Sequence, residues 1–161
     1  MAISGEEFRE ALRNWASGVT VVTAKDRSGN LHGITVSAFT SVSLQPPLVL
    51  ICIDKFTGSH YAFAESPYFV VNILSDEQEF LSRQFATPLR DKFDNIEFEE
   101  TSNGVPILPG TLCNLECRLV LSYEGGDHTI FIGEIEKAVT RKGKPLLYFQ
   151  GNYGDIVPRL D

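Results

Sequence analysis

Between Gly33 and Ser43 the chain reads Gly-Ile-Thr-Val-Ser-Ala-Phe-Thr-Ser-Val-Ser. Held extended, it puts Thr35, Ser37, Phe39, Ser41 and Ser43 on one face and Ile34, Val36, Ala38 and Val42 on the other. A row of small hydroxyls around one aromatic ring offers hydrogen bonds to a planar polar ligand. A strand side facing solvent has the same pattern. In a second segment, Gly125 to Ile135, two glycines and Asp127 turn the chain and leave His128 at the mouth of a strand. An imidazole there donates, accepts or shuttles a proton near neutral pH, or bonds its own turn. A third segment, Gln84 to Phe93, carries Arg90 and Lys92, which suit a phosphate or form a solvated charge cluster. Asp54 to Ser59 is a polar loop after an apolar strand. Gln150 to Gly154 is a Gly-rich aromatic turn that lets backbone approach a ligand or simply ends a strand.

Composition narrows what these segments can do. The 161 residues are 43% hydrophobic and 22% charged, which predicts one packed domain over residues 1–161 rather than disorder. A net charge of −7 argues against general binding to nucleic acid or anionic membrane. The start, Met1 to Glu7, lacks the basic and apolar regions of a signal peptide, and Leu48 to Ile53 is too short an apolar run to cross a bilayer. A cytoplasmic protein is expected. Three cysteines cannot all pair, and Cys113 and Cys117 on one strand lie about 13 Å apart, too far for a bridge. All three are expected reduced and buried, and no metal site is expected. GxGxxG, GxxxxGK[ST] and Gly-x-Ser-x-Gly are absent, which disfavours a Rossmann sheet, an ordinary NTPase and an α/β-hydrolase.

The elements that must position these residues are mostly strands. A capping box, Ser4 with Glu7, and apolar residues Phe8, Leu12, Trp15 and Ala16 predict a helix over 4–17 that stops at Gly18, with Trp15 as a core anchor. Residues 19–25 and 31–39 read as a hairpin around the turn cluster at Asp26 to Asn30. Leu48 to Ile53 is apolar throughout, so both faces are expected to be buried. Tyr68 to Leu74 reads as a strand, and Ser75 with Gln78 caps a helix through Phe85. Residues 87–111 read as a long loop of the kind that often carries function. Strands follow over about 112–123, 128–139 and 146–149. Many short strands with Gly/Pro turns predict a closed β-barrel or sandwich.

Seven pieces in this order carry a resemblance. They are Ala16-Ser-Gly-Val-Thr-Val-Val-Thr, His32-Gly-Ile-Thr-Val-Ser-Ala-Phe-Thr-Ser-Val-Ser, Pro47-Leu-Val-Leu and Val71-Asn-Ile-Leu. Gln84-Phe-Ala, Gly126-Asp-His-Thr-Ile-Phe-Ile-Gly-Glu and Pro145-Leu-Leu-Tyr-Phe-Gln-Gly-Asn-Tyr complete the set. Over almost its whole length the chain resembles the flavin reductase-like family with the FMN-binding split barrel. It is most similar to reductase components of two-component flavin-dependent monooxygenases.

The resemblance implies a mainly β, Greek-key split barrel with a few flanking helices, forming a homodimer with flavin near the subunit interface. It implies an NAD(P)H-dependent flavin reductase: NADH or NADPH reduces FMN or FAD by hydride transfer, and the reduced flavin serves a partner monooxygenase. Thr35, Val36, Ser37, Ala38 and Phe39 would line the isoalloxazine ring. Asp54, Lys55 and Ser59 would help hold the ribityl and phosphate end, and Phe85, Ala86 and Lys92 would approach the flavin. His128 would sit where the nicotinamide stacks, with Tyr153 near the same mouth, while Arg90 remains a surface charge. Three rival expectations stand beside this one: a tight FMN-binding electron carrier of the flavoredoxin type, a non-catalytic ligand-binding barrel, and an oxidase of the pyridoxamine-phosphate type. For the last, no match to the substrate-phosphate arginines is seen. Preference among FMN, FAD and riboflavin, and between NADH and NADPH, is left open.

Overall fold

The computed structural model describes residues 2–88 and 91–157. The first helix, α1 (Gly5–Leu12), begins where the capping box places it: Ser4 Oγ accepts from the Glu7 N–H at 3.2 Å, and Glu7 accepts from the Ser4 N–H at 2.8 Å. It ends five residues earlier than the spacing predicts. Gly18 is not its stop, because Ser17–Gly18 forms β1 and pairs with Tyr148 and Leu147. Strand pairing takes the chain away from the helix. Trp15 is therefore no core anchor: it is 75% exposed, and α1 buries none of its residues.

The hairpin forms as read. β2 (Thr20–Lys25) pairs with β3 (Leu31–Val36), from Thr20 opposite Val36 to Lys25 opposite Leu31. Asp26 shapes the turn by accepting from the Ser28 and Asn30 N–H groups, each at 2.9 Å. β3 does not run to Phe39. The chain breaks at Ser37 and Ala38, and β4 (Phe39–Ser43) pairs with β5 (Leu48–Asp54) instead. The expected single face from Thr35 to Ser43 is thus divided between two strands.

The remaining elements are α2 (His60–Glu65), β6 (Tyr68–Ile73), α3 (Glu79–Ala86), β7 (Glu99–Glu100), β8 (Pro106–Ile107), β9 (Cys113–Gly125), β10 (His128–Thr140), β11 (Leu147–Phe149) and β12 (Asn152–Gly154). A 3-10 turn at Asp76–Gln78, capped by Ser75 and Gln78 as expected, leads into α3. Seven strands form one antiparallel sheet in the order β3-β2-β6-β9-β10-β5-β4. Its outermost strands, β3 and β4, are joined by two residues. Three Cα steps reach about 11 Å, whereas seven flat strands put their edges about 29 Å apart. The sheet must curl until its edges meet. A mainly β, Greek-key split barrel with few helices follows.

Inside the barrel, Val22, Ile51, Ile53, Phe69, Val71 and Phe131 form one core. The opposite face of β2 packs Val19 and Val21 against Leu81 and Phe85 of α3, making a second. β5 alternates buried Val49, Ile51 and Ile53 with half-buried Leu48, Leu50 and Cys52, so only one of its apolar faces is fully covered. Of the three free thiols only Cys117 is buried, which pushes its pKa up to about 12; Cys52 and Cys113 are half-buried. Much of the stretch expected as a functional loop is stapled to the barrel. Asn72 Oδ1 accepts from the Leu108 N–H at 3.0 Å and from Asn114 at 2.8 Å, and Thr23 donates to the Pro106 carbonyl at 2.5 Å. These buried polar groups are fully partnered, which makes them structural. Among the described residues, no helix is long and apolar enough to cross a membrane.

Candidate active site

The site is built around the break between β3 and β4. The Phe39 N–H turns back to the Ser37 carbonyl at 2.9 Å, and the Cys52 N–H ties the Ala38 carbonyl to β5 at 3.0 Å. The Ser37 and Ala38 N–H groups have no acceptor among the described residues, and both residues are exposed. Val36 points into the core and Phe39 packs half-buried against it. Thr35, also half-buried, donates its hydroxyl to the Ser82 carbonyl at 2.6 Å, which joins the strip to α3.

Two clefts flank this strip. The first, of about 510 Å³, has Ser37, Ala38 and Phe39 on one side, Leu50 and Cys52 from β5, and Phe8, Leu12 and Trp15 around α1. The second, of about 540 Å³, is lined by His32, Thr35, Phe56 to Ser59, Ala86, Thr87 and Lys92. Both are large enough for a small organic ligand.

Among the described residues, Lys92 supplies the ammonium of the second cleft. Its ammonium donates to the Phe85 carbonyl at 2.8 Å and the Gly33 carbonyl at 3.1 Å. Two carbonyls take two of its three protons, leaving the third for an anion. Burial holds its pKa below the ordinary lysine value. Gly33 is needed beneath it: a Cβ there would lie 2.4 Å from the Phe85 ring. The Ser59 hydroxyl makes no capping bond to α2 and is available to the cleft. Ala86 lines the same wall.

Other expected site residues do different work. Phe85 is wholly buried in the second core, so its side chain meets no ligand and only its carbonyl contributes, through Lys92. Asp54 accepts from the Phe56 N–H at 2.8 Å and shapes its own loop. Lys55 pairs with Glu124 and donates to the Gly126 carbonyl at 2.7 Å, clamping that loop to the β9–β10 hairpin. Neither Asp54 nor Lys55 lines a cleft. Tyr153 shares a hydrogen bond with the Ser82 hydroxyl at 2.8 Å, beneath the Arg83 guanidinium. His128 stands at the tip of β10, opposite Asp54, with Nδ1 2.7 Å from Asp127. That bond lowers the Asp127 pKa. No contact joins Tyr153 to His128 among the described residues. Arg90 lies outside the described residues.

One cluster was not singled out from the sequence. His32 Nε2 lies 3.0 Å from the Asp26 carboxylate, and Tyr61 reaches both, at 3.4 Å to Asp26 and 3.3 Å to His32. Hydrogen bonds from Asn30, then His32, hold the Asp26 pKa far below the usual carboxylate range. The hint was local: Asp26 opens a tight turn and His32 closes it. Tyr61, 29 residues further on, could not be paired with them from spacing.

Comparison with known proteins shows the family. The flavin reductase like domain matches residues 12–156. The FMN reductase (NADH) SmoA of Agrobacterium fabrum is 43% identical over 94% of this chain and 86% of its own. The reductase component of the 4-nitrophenol 4-monooxygenase/4-nitrocatechol 2-monooxygenase of Rhodococcus opacus is 41% identical, over 94% of this chain and 81% of its own. The solved structure of the NADH:FAD oxidoreductase SgcE6 of Streptomyces globisporus, in complex with NAD and FAD fragments, superposes with a TM-score of 0.92. It has 35% identity and covers 100% of this chain and 99% of that one. A match this long, on a barrel whose open strip falls inside it, means that the chain belongs to the flavin reductase like family.

Proposed function

We propose that this protein is an NAD(P)H-dependent flavin reductase that reduces FMN or FAD and hands the product to a separate monooxygenase. One observation carries the reading: the strip from Thr35 to Phe39 has free amides at Ser37 and Ala38 and lies between a cleft walled by Phe8, Leu12, Trp15 and Leu50 and a cleft that holds Lys92. That donor set fits an isoalloxazine ring with a charged tail. The relatives' names support the flavin, the nicotinamide and the oxygenase partner.

When bound, the flavin and nicotinamide supply the hydride-transfer chemistry themselves. The chain binds and orients. The Ser37 and Ala38 amides and the Ser37 hydroxyl hold the polar edge of the ring and stabilise negative charge that builds there. Lys92 and Ser59 hold the phosphate end. Phe39 and Leu50 back the ring with apolar surface. His128, steadied by Asp127, orients the nicotinamide; no proton transfer is assigned to it.

We read the exposed apolar face of α1, with Phe8, Leu12 and Trp15, as the seat of a second copy, giving a homodimer. Trp15→Ser should then shift the protein toward monomer in sedimentation. We also read residues 1–161 as one domain working in the cytoplasm, a placement that three free thiols support. The direct test mixes purified protein with NADH or NADPH and each flavin in turn, following loss of the nicotinamide absorbance. Turnover with FMN or FAD is expected. Retained flavin with negligible turnover would instead mark an electron carrier.

A further inference from the structure

Phe56 is 88% exposed, on the rim of the cleft that holds Lys92. Its loop is not slack. Asp54 takes the Phe56 N–H at 2.8 Å and the Thr57 N–H at 3.1 Å, and Thr57 takes the His60 N–H at 2.9 Å. The preceding Lys55 is clamped to the β9–β10 hairpin. An exposed aromatic ring is thus presented at a fixed place on the same cleft as a half-buried ammonium with a proton to spare.

Its chain neighbours Thr57, Gly58 and Ser59 are polar or lack a side chain, and the other apolar residues of the cleft, Ile34, Ala86 and Pro88, are not among the large exposed hydrophobics, unlike those α1 carries. A lone ring beside a cation suits a small ligand better than a protein surface. Neither nearby carboxylate opposes an anion strongly: Asp54 Oδ1 is engaged by the Phe56 N–H, and Asp26, joined to the His32 that lines the cleft, is enclosed by donors. It is 8% exposed, and Ser28, Asn30 and His32 take its oxygens.

We propose that this cleft takes the adenylate end of a dinucleotide, with Phe56 as the shelf for adenine and Lys92 beside the phosphates. The inference rests on the reductase reading and adds to it a specificity residue. FAD and the nicotinamide dinucleotides both carry adenylate, so the test has an arm for each.

Dissociation constants for FAD and FMN, and the Michaelis constant for NADH with FMN as acceptor, are measured for the wild type, Phe56→Ala and Phe56→Trp. Stacking of one base on one ring predicts a loss of about tenfold in Phe56→Ala, recovered in Phe56→Trp. Weaker FAD with FMN unchanged assigns the shelf to the flavin dinucleotide. A raised Michaelis constant for NADH with both flavins unchanged assigns it to the nicotinamide dinucleotide. Equal effects on FAD and FMN, or none on any ligand, overturn the proposal. So does a change of oligomeric state with all affinities intact. Because Phe56 is so exposed, Phe56→Ala should fold. A wild type that binds no flavin and oxidises no NADH would remove the reductase reading itself, an outcome distinct from an indifferent Phe56.

Discussion

The two clefts are close in size, about 510 and 540 Å³, yet differ in lining: large apolar side chains around α1 mark the first, and the short polar loop Thr57 to Ser59 with Lys92 marks the second. The first is walled by Phe8, Leu12, Trp15, Phe39 and Leu50, with Arg9 and Arg13 also in its lining. The second presents Lys92, His32, Thr57 and Ser59 beside Ile34, Ala86 and Pro88. They meet along a strip only as wide as the gap between β3 and β4. An apolar wall binds a flat ring through area removed from water, and a half-buried ammonium binds charge. On the proposed function the flavin would lie across the strip with its ring on the α1 side and its phosphate toward Lys92, with the free Ser37 and Ala38 amides between them.

The contrast can be broken most severely at the strip. Ser37→Leu puts a branched side chain where the ring should lie. Ser37 is exposed, so the fold should survive, and flavin affinity should fall about a hundredfold or more by titration. Next comes the cationic cleft. Lys92→Met should weaken FMN about tenfold, the loss of one charge-assisted hydrogen bond, while riboflavin is unaffected. An equal loss for riboflavin would mean that the ammonium does not meet the phosphate. His128→Ala should raise the Michaelis constant for the nicotinamide substrate about fivefold and leave flavin binding intact. Unchanged steady-state kinetics would remove His128 from the site.

The smallest effect is in pH. Burial makes folded Lys92 release its proton below the ordinary value of 10.5. Between the two values the unfolded chain binds more protons, so this group's contribution to stability rises with pH. The ammonium is lost over the same window, so the FMN-over-riboflavin preference should fall. Stability and phosphate affinity should therefore move in opposite directions as pH rises, and the opposition should vanish in Lys92→Met.

Where local rules decide structure, the sequence was legible. Both capping boxes, the hairpin around Asp26 and the long β9–β10 pair came from patterns within a few residues. What failed was decided by distant partners. Residues 13–17 left the helix because β11, 130 residues away, supplied a strand. The apolar stripe of α1 looked like a core stripe because periodicity reports an apolar face and not what covers it. The alternation from Gly33 to Ser43 is unbroken in sequence, but the barrel closes there and divides it between two edges. The site was visible as a set of segments rather than as geometry. Thr35, Ser37, Ala38, Phe39, Ser59, Ala86 and Lys92 line the two clefts, while Val36, expected to line the ring, points into the core. Phe85, Asp54 and Lys55 support those segments from behind, a distinction that depends on side-chain direction.

The most direct measurement is a crystal structure with FMN bound. The account predicts the isoalloxazine ring against Ser37, Ala38 and Phe39, facing the apolar cleft, with the phosphate on Lys92. A ring seated in the Lys92 cleft, or anywhere that leaves the Ser37 and Ala38 amides to water, would contradict it.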